Sequence, residues 1–90
     1  MKLSGTPGAG FSGHYLVART SHELSGAVPL VIEVPDEALH ECEFRKTDAQ
    51  KTLVLEIRHG RTQILQVRVE PGELGVRAGD EGGWHFEIIR

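Results

Sequence analysis

The sequence predicts a mainly β protein, an antiparallel meander of six or seven strands that forms a small barrel or a two-layer sandwich. Two observations predict this class. Short runs in which every second residue is apolar recur from residue 28 onwards, a pattern typical of strands with one buried face. Short turn-forming segments that contain glycine separate these runs at residues 58–60, 71–72 and 80–82.

The N-terminal segment is rich in glycine and is predicted to lie outside the folded domain. Residues 1–13 contain four glycines and Pro7. Because glycine loses much conformational entropy when it is ordered, we expect residues 1–13 to form a flexible arm. Residues 14–90 are then a single β-rich domain, since a chain of 90 residues is short for more than one.

The same segment contains the string Gly8-Ala9-Gly10-Phe11-Ser12-Gly13, a G-x-G-x-x-G pattern. It resembles the opening of extended short-chain dehydrogenases and epimerases, in which a similar string cradles a dinucleotide pyrophosphate. The resemblance implies a ribose-binding role for Glu33, twenty residues after Gly13. The fingerprint also requires a buried strand directly before it, and residues 2–4 are too few and too polar for one. We therefore expect no cofactor.

Two strands are predicted in the first half of the domain. Residues 14–19 carry β-branched and aromatic side chains after the glycine cluster, and residues 28–34 are apolar at every second position. Pro29 has no backbone N–H, so the second strand begins at an edge or just after this residue. Residues 20–26 between them are predicted to be a polar loop.

The segment from 35 to 51 fits a helix or a strand. Asp36 can cap a helix that has acidic residues in its first turn. The alternation of His40, Cys42 and Phe44 with charged residues instead favours a strand. We expect at most one short helix near residues 36–42, followed by a strand.

The second half of the chain also predicts a register. Residue numbers of opposed residues in an antiparallel pair have a constant sum, and side chains alternate between the two faces. Across a three-residue loop, as at 58–60 and 80–82, opposed residue numbers have an even sum, so odd-numbered residues face odd-numbered ones and even-numbered residues face even-numbered ones. Across a two-residue loop, as at 71–72, the sum is odd, so the apolar positions change from odd to even numbers. One apolar face then contains Leu53, Leu55, Ile57, Leu65, Val67, Val69, Leu74, Val76, Ala78, Trp84, Phe86 and Ile88.

In this register Val69 lies opposite Leu74, and Val76 lies opposite Phe86. The opposite face is mainly polar, as in antiparallel sheets with one solvated side. The apolar face must be covered, either by the first two strands of the same chain or by a partner subunit.

The charge of the chain argues against a nucleic-acid partner. There are 10 Lys and Arg residues against 13 Asp and Glu residues, which gives a net charge of −3. Arginine and glutamate alternate at 56–58 and 68–70, as on a solvated strand face. Nucleic-acid binders cluster basic residues instead, so we expect no nucleic-acid partner.

Apolar runs and cysteine content predict the compartment. No run approaches the roughly 20 apolar residues that a membrane helix needs, and the N-terminus does not resemble a signal peptide. Cys42 is the only cysteine, so the chain can form no internal disulfide. We expect a cytoplasmic protein with no membrane partner.

Candidate site residues fall into two groups. On the polar face, His85, Arg77, Gln66 and Glu87 could form a shallow ligand-binding patch in the predicted register. His40 and Cys42 are two residues apart and would point the same way on a strand, as two metal ligands do. No third ligand can be named, so we predict no metal site there.

The sequence alone does not establish a function. We expect a small non-catalytic binding or assembly module that holds another protein, or a second copy of itself, through a sheet face or edge. The alternative is a small metal-dependent or histidine-based enzyme centred on His40 and Cys42. The lack of a recognisable catalytic constellation inclines us against an enzyme.

Overall fold

A computed structural model describes residues 1–34 and 38–90. The described residues form no helix, and their strands are β1 (Lys2–Gly5), β2 (Gly10–Val17), β3 (Thr20–Ala27), β4 (Leu30–Val31), β5 (Leu39–Lys46), β6 (Leu53–His59), β7 (Thr62–Val69), β8 (Gly75–Gly79) and β9 (His85–Ile89).

The strands form two antiparallel sheets. The four-stranded sheet has the order β4-β1-β6-β7, and the five-stranded sheet has the order β3-β2-β5-β8-β9. Neither sheet closes into a barrel, and the two form the layers of a sandwich. The predicted all-β class is confirmed in its sandwich form.

The hydrophobic core lies between the sheets. Phe11 of β2 and Phe44 of β5 meet edge to face at its centre, with ring centroids 5.8 Å apart and planes at 84°. Burial of each large apolar side chain contributes about 1.5–3 kcal/mol to folding. The side chains that are at most 1% exposed are Leu3, Ala9, Phe11, Cys42, Phe44, Leu53, Leu55, Ile57, Val69 and Val76.

Residues 1–13 do not form the expected arm. β1 is an internal strand that pairs with both β4 and β6, and Leu3, Ala9 and Phe11 are buried. A Cβ atom at Gly13 would collide with the carbonyl oxygen of Glu43 on the neighbouring strand. Glycine is therefore needed here because two strands approach closely, a requirement that looks like flexibility in the sequence.

The hairpin of β6 and β7 confirms the predicted facing but not its loop. Leu53, Leu55 and Ile57 lie opposite Val69, Val67 and Leu65. The loop contains two residues, Gly60 and Arg61, and the register shifts between Ile57 and Arg58. This β-bulge shifts the pairing by one residue, so Ile57 faces Leu65 although the loop has two residues and not the predicted three.

The predicted pairing of Val69 with Leu74 is wrong, because the chain leaves one sheet for the other at Pro71. Glu73 N–H donates to the Glu70 carbonyl at 3.0 Å, and Gly72 has φ 92°, which together describe a type II turn. Such a turn does not match the twist of a tight hairpin. β8 instead pairs with β5.

The final hairpin keeps the predicted parity in a register shifted by two residues. Val76 lies opposite Ile88 and Ala78 lies opposite Phe86, because the loop runs from 80 to 84 rather than from 80 to 82. Phe86 is 49% exposed, so the expectation that it is a core residue is wrong. Phe86 lies on β9, the edge strand of the five-stranded sheet, and the opposite sheet has only four strands to cover it.

The first half of the chain also differs from the predicted elements. β2 begins at Gly10 rather than at residue 14, and the predicted polar loop at 20–26 is strand β3. The predicted strand at 28–34 shrinks to the two residues of β4. Of the predicted helix near 36–42, residues 36 and 37 lie outside the described residues, and 39–42 belong to β5.

Lys46 joins the two layers at one end of the sandwich. Its Nζ donates to the carbonyl oxygens of Ala49 at 3.0 Å, Lys51 at 2.8 Å and Glu70 at 2.9 Å. The first two lie in the loop after β5, and Glu70 directly follows β7 of the other sheet. One ammonium group therefore connects both crossings between the layers at this end.

Candidate functional site

The outer face of the five-stranded sheet, the side away from the core, carries a charged row across all five strands. Each residue of the row lies directly opposite the next one on the neighbouring strand. Its members are Glu23 of β3, His14 of β2, Glu43 of β5, Arg77 of β8 and Glu87 of β9. Acidic side chains thus alternate with a histidine and an arginine.

Arg77 and Glu43 form the tightest contact in the row. Arg77 donates from Nε at 2.8 Å and from Nη2 at 2.6 Å to Oε1 of Glu43, and Glu87 lies 3.9 Å from its Nη1. The hydrogen bond from Arg77 is the main reason that the pKa of Glu43 lies below its ordinary value. The guanidinium is therefore already engaged by a carboxylate of its own sheet.

Three of the four residues predicted to form a ligand-binding patch are neighbours. Arg77 lies opposite Glu87, and His85 lies opposite Gly79 one row away. A shallow depression of about 230 Å³ is lined by these side chains together with His40 and Asp80.

Gln66 is not part of that patch. It lies on β7 in the other sheet, opposite Glu56. The prediction placed it near Arg77 only through the hairpin between β7 and β8, which the crossing at Pro71 replaces.

His40 and Cys42 do not share a face. A β-bulge lies where β2 passes from Leu16 to Val17, and His40 is the extra residue on β5. Its Nδ1 lies 3.1 Å from Asp80 Oδ2 at the exposed end of the sheet, whereas Cys42 is 1% exposed. Burial raises the pKa of the Cys42 thiol to about 12.

No group of three or more His, Cys, Asp or Glu side chains in the described part of the chain could hold a metal ion. Nor does the G-x-G-x-x-G string form a phosphate loop, because its last four residues, from Gly10 to Gly13, lie within β2 and lead into further strand. Among residues 1–34 and 38–90 there is also no helix long and apolar enough to cross a membrane.

The sequence did not reveal the open edge of β3. This strand pairs with β2 in a ladder that runs without interruption from Gly10 opposite Ala27 to Val17 opposite Thr20. On its other side, it pairs with no strand in the described ranges. Seven of its eight residues are exposed, and Leu24 is half-buried.

The other three sheet edges formed by residues 1–34 and 38–90 are protected. β4 has two residues and follows Pro29, β7 contains the bulge and Arg68, and β9 has five residues with Glu87 at its centre. Short strands, bulges, proline and charged side chains are the usual means by which proteins prevent an edge from pairing. β3 is eight residues long, regular and free of proline, lysine and arginine, and Glu23 is its one acidic residue.

A shallow groove of about 600 Å³ runs beside this edge on the outer face of the β2–β3 hairpin. Its polar lining consists of Ser12, His14, Ser21, Glu23 and Ser25. Hydroxyl, imidazole and carboxylate groups therefore lie next to the unpaired backbone of β3.

Comparison with known proteins adds no relative. No protein-family model, no curated protein and no solved structure matches this chain. Any functional assignment therefore depends on the geometry of the chain itself.

Proposed function

We propose that this domain is a non-catalytic binding or assembly module that acts through the open edge of β3. The observation that carries the proposal is the contrast between this edge, eight residues long with no bulge, and the three protected edges. An extended segment of another chain would add to the five-stranded sheet as a sixth strand.

The backbone of β3 provides the affinity. In an antiparallel strand every second residue directs both its N–H and its C=O away from the paired neighbour. About half of the eight residues of β3 therefore offer unpaired donors and acceptors. Each hydrogen bond that an added strand makes contributes about 0.5–1.5 kcal/mol.

The adjoining groove provides selectivity. Alternate side chains of an added strand lie on the outer face, next to Ser21, Glu23 and Ser25. Glu23 accepts hydrogen bonds or pairs with a cation, and the two serines donate and accept. This lining favours a partner strand that has polar or basic side chains at every second position.

Selection of short peptides from a random library tests the proposal. The domain is immobilised at low density, and peptides of about ten residues are selected for binding. We expect bound peptides to shift the NMR signals of Thr20–Ala27 and of the β2 residues that face them. Peptides that bind only elsewhere, or no bound peptides at all, would contradict the proposal.

Backbone methylation of a selected peptide is the matched control. Methylation removes one N–H donor without changing any side chain, so in strand addition it weakens binding at every second residue only. A uniform effect along the peptide would show that side chains alone mediate binding.

We further propose that the module works in the cytoplasm. Support comes from Cys42, a free buried thiol, in a fold that is held together by packing and hydrogen bonds. Fractionation of cells that express the tagged protein tests this location, and recovery from an extracellular fraction would contradict it.

A further inference from the structure

We infer that the strand added to β3 is β3 of a second copy, antiparallel about a two-fold axis, with Leu24 opposite the partner's Leu24. This inference rests on the proposed function of the β3 edge and names its occupant. The two five-stranded sheets would then form one continuous sheet of ten strands.

Backbone geometry restricts the register. Directly opposed residues in an antiparallel pair both direct their N–H and C=O groups toward the partner strand or both away from it. When a strand pairs with its own copy, the residue numbers of opposed residues must therefore have an even sum. An even sum also keeps the core-facing side chains of both copies on the same face.

Length and charge then select one register. Two registers, in which the numbers of opposed residues add up to 46 or to 48, each pair seven of the eight residues of β3. Registers with any other even sum pair five residues or fewer. A sum of 46 sets Glu23 directly against the partner's Glu23, and like charges in that position are destabilising. A sum of 48 pairs residues 21–27 and sets Leu24 against the partner's Leu24.

Side chains on the outer face fit this register. Glu23 lies opposite the partner's Ser25, whose hydroxyl donates to the carboxylate. By symmetry the contact occurs twice in the dimer. Charged and hydrogen-bonded cross-strand pairs of this kind stabilise sheets.

Side chains on the inner face fit as well. His22, which stacks on Tyr15 with ring centroids 5.1 Å apart, lies opposite the partner's Gly26. Gly26 has no side chain, and a Cβ atom there would come no closer than 4.0 Å to the ring of Phe11, which leaves room for the imidazole. The half-buried Leu24 side chains meet on the axis and bury each other further.

Sedimentation equilibrium of the whole chain over a range of concentrations is the first test. We expect reversible association from 9.9 kDa to twice that mass. Ser25→Lys places an ammonium opposite the partner's Glu23 and should tighten the dimer about three- to tenfold, whereas Ser25→Glu should weaken it by a similar factor. The double variant Glu23→Lys/Ser25→Glu exchanges the two charges and should reverse the weakening, with a dissociation constant close to that of Ser25→Lys.

Ser21→Glu is the matched control for added charge. It lies on the same strand and face as Ser25, but in this register it faces the partner's Ala27. We expect a smaller effect than that of Ser25→Glu. Equal effects of the two variants would indicate a sum of 46, in which positions 21 and 25 face each other, and would overturn the proposed register.

Disulfide trapping gives an independent measure of the register. Under mild oxidation Leu24→Cys should form covalent dimers, because only residue 24 faces its own copy. His22→Cys, Glu23→Cys and Ser25→Cys are the controls, and the native Cys42 is buried and unreactive. Preferential dimer formation by any control variant would contradict the register.

The two proposals fail in different ways. A wild-type chain that stays monomeric at all concentrations, while selected peptides still bind at β3, would overturn self-pairing and leave the proposed function in place. A monomer whose β3 also binds no peptide would overturn both.

Discussion

Glu43 is a carboxylate whose ionisation is coupled to folding. Arg77 donates two short hydrogen bonds to its carboxylate, and the pKa of Glu43 lies below its ordinary value of 4.5. The ionised form is therefore favoured in the folded state. Its contribution to stability is complete above the unfolded pKa and is lost as the pH falls through the lower folded pKa.

We predict that the free energy of unfolding decreases as the pH falls below about 4.5, and that Glu43→Gln reduces this decrease. Urea denaturation at a series of pH values measures both slopes. Glu87→Gln is the control, because its carboxylate is 3.9 Å from Arg77 and 74% exposed. Equal slopes for wild type and Glu43→Gln would show that the contact with Arg77 does not couple Glu43 to folding.

At the scale of elements, Lys46 holds together the two crossings at one end of the sandwich. Lys46→Met keeps most of the aliphatic stem but removes the donors to three carbonyl oxygens. We predict a loss of about 1–3 kcal/mol in the free energy of unfolding, measured by denaturant titration.

Lys51→Met is the control for this prediction. Lys51 lies in the same loop and contributes its carbonyl oxygen, not its ammonium, to the contact with Lys46. The substitution should change stability by less than about 0.5 kcal/mol. A loss as large as that of Lys46→Met would mean that charge in this loop, rather than the three hydrogen bonds, stabilises the crossing.

Strands in which several apolar residues alternate with polar ones could be predicted from the sequence, whereas β1 and β3, which lack this pattern, could not. Leu53, Leu55 and Ile57 alternate cleanly because β6 is internal and covers the core. β3 is exposed on both faces, and Leu24 is its one large apolar residue. Its sequence therefore shows no alternation of apolar and polar residues. For this reason the sequence pattern predicts a loop at the edge strand on which function is proposed to depend.

The polar patch that contains His85, Arg77 and Glu87 was predicted only in part, for a topological reason. His85, Arg77 and Glu87 lie on adjacent strands of one hairpin, so local parity was enough to bring them together. Gln66 depended on the step across Pro71, where the chain changes sheets. Parity arguments determine facing within a sheet, but they do not determine whether the next strand stays in it.

For the whole molecule, Cys42 reports on opening of the sandwich. Cys42 is paired with Tyr15 and Ala78 on the adjacent strands, and burial raises the pKa of its thiol to about 12. Because the thiolate is the reactive form, the native protein should react with an aromatic disulfide reagent at least about a hundredfold more slowly than the unfolded chain. Absorbance of the released thiol measures the rate.

The variant Ser25→Cys provides the control, since position 25 is exposed on β3 and should react at once in the native state. The remaining slow phase then belongs to Cys42. If Cys42 were labelled at similar rates with and without denaturant, the core would open locally at β5 rather than with the whole sandwich.

The unequal protection of the four sheet edges also limits how far association can proceed. A two-fold pair uses the β3 edge of both chains and leaves β9 as the outermost strand at either end, five residues long with Glu87 at its centre. Such an arrangement is closed, so growth stops at two copies and does not continue into fibres. A chain with one unprotected edge can thus remain free of aggregates at high concentration, whereas two unprotected edges would make it polymerise.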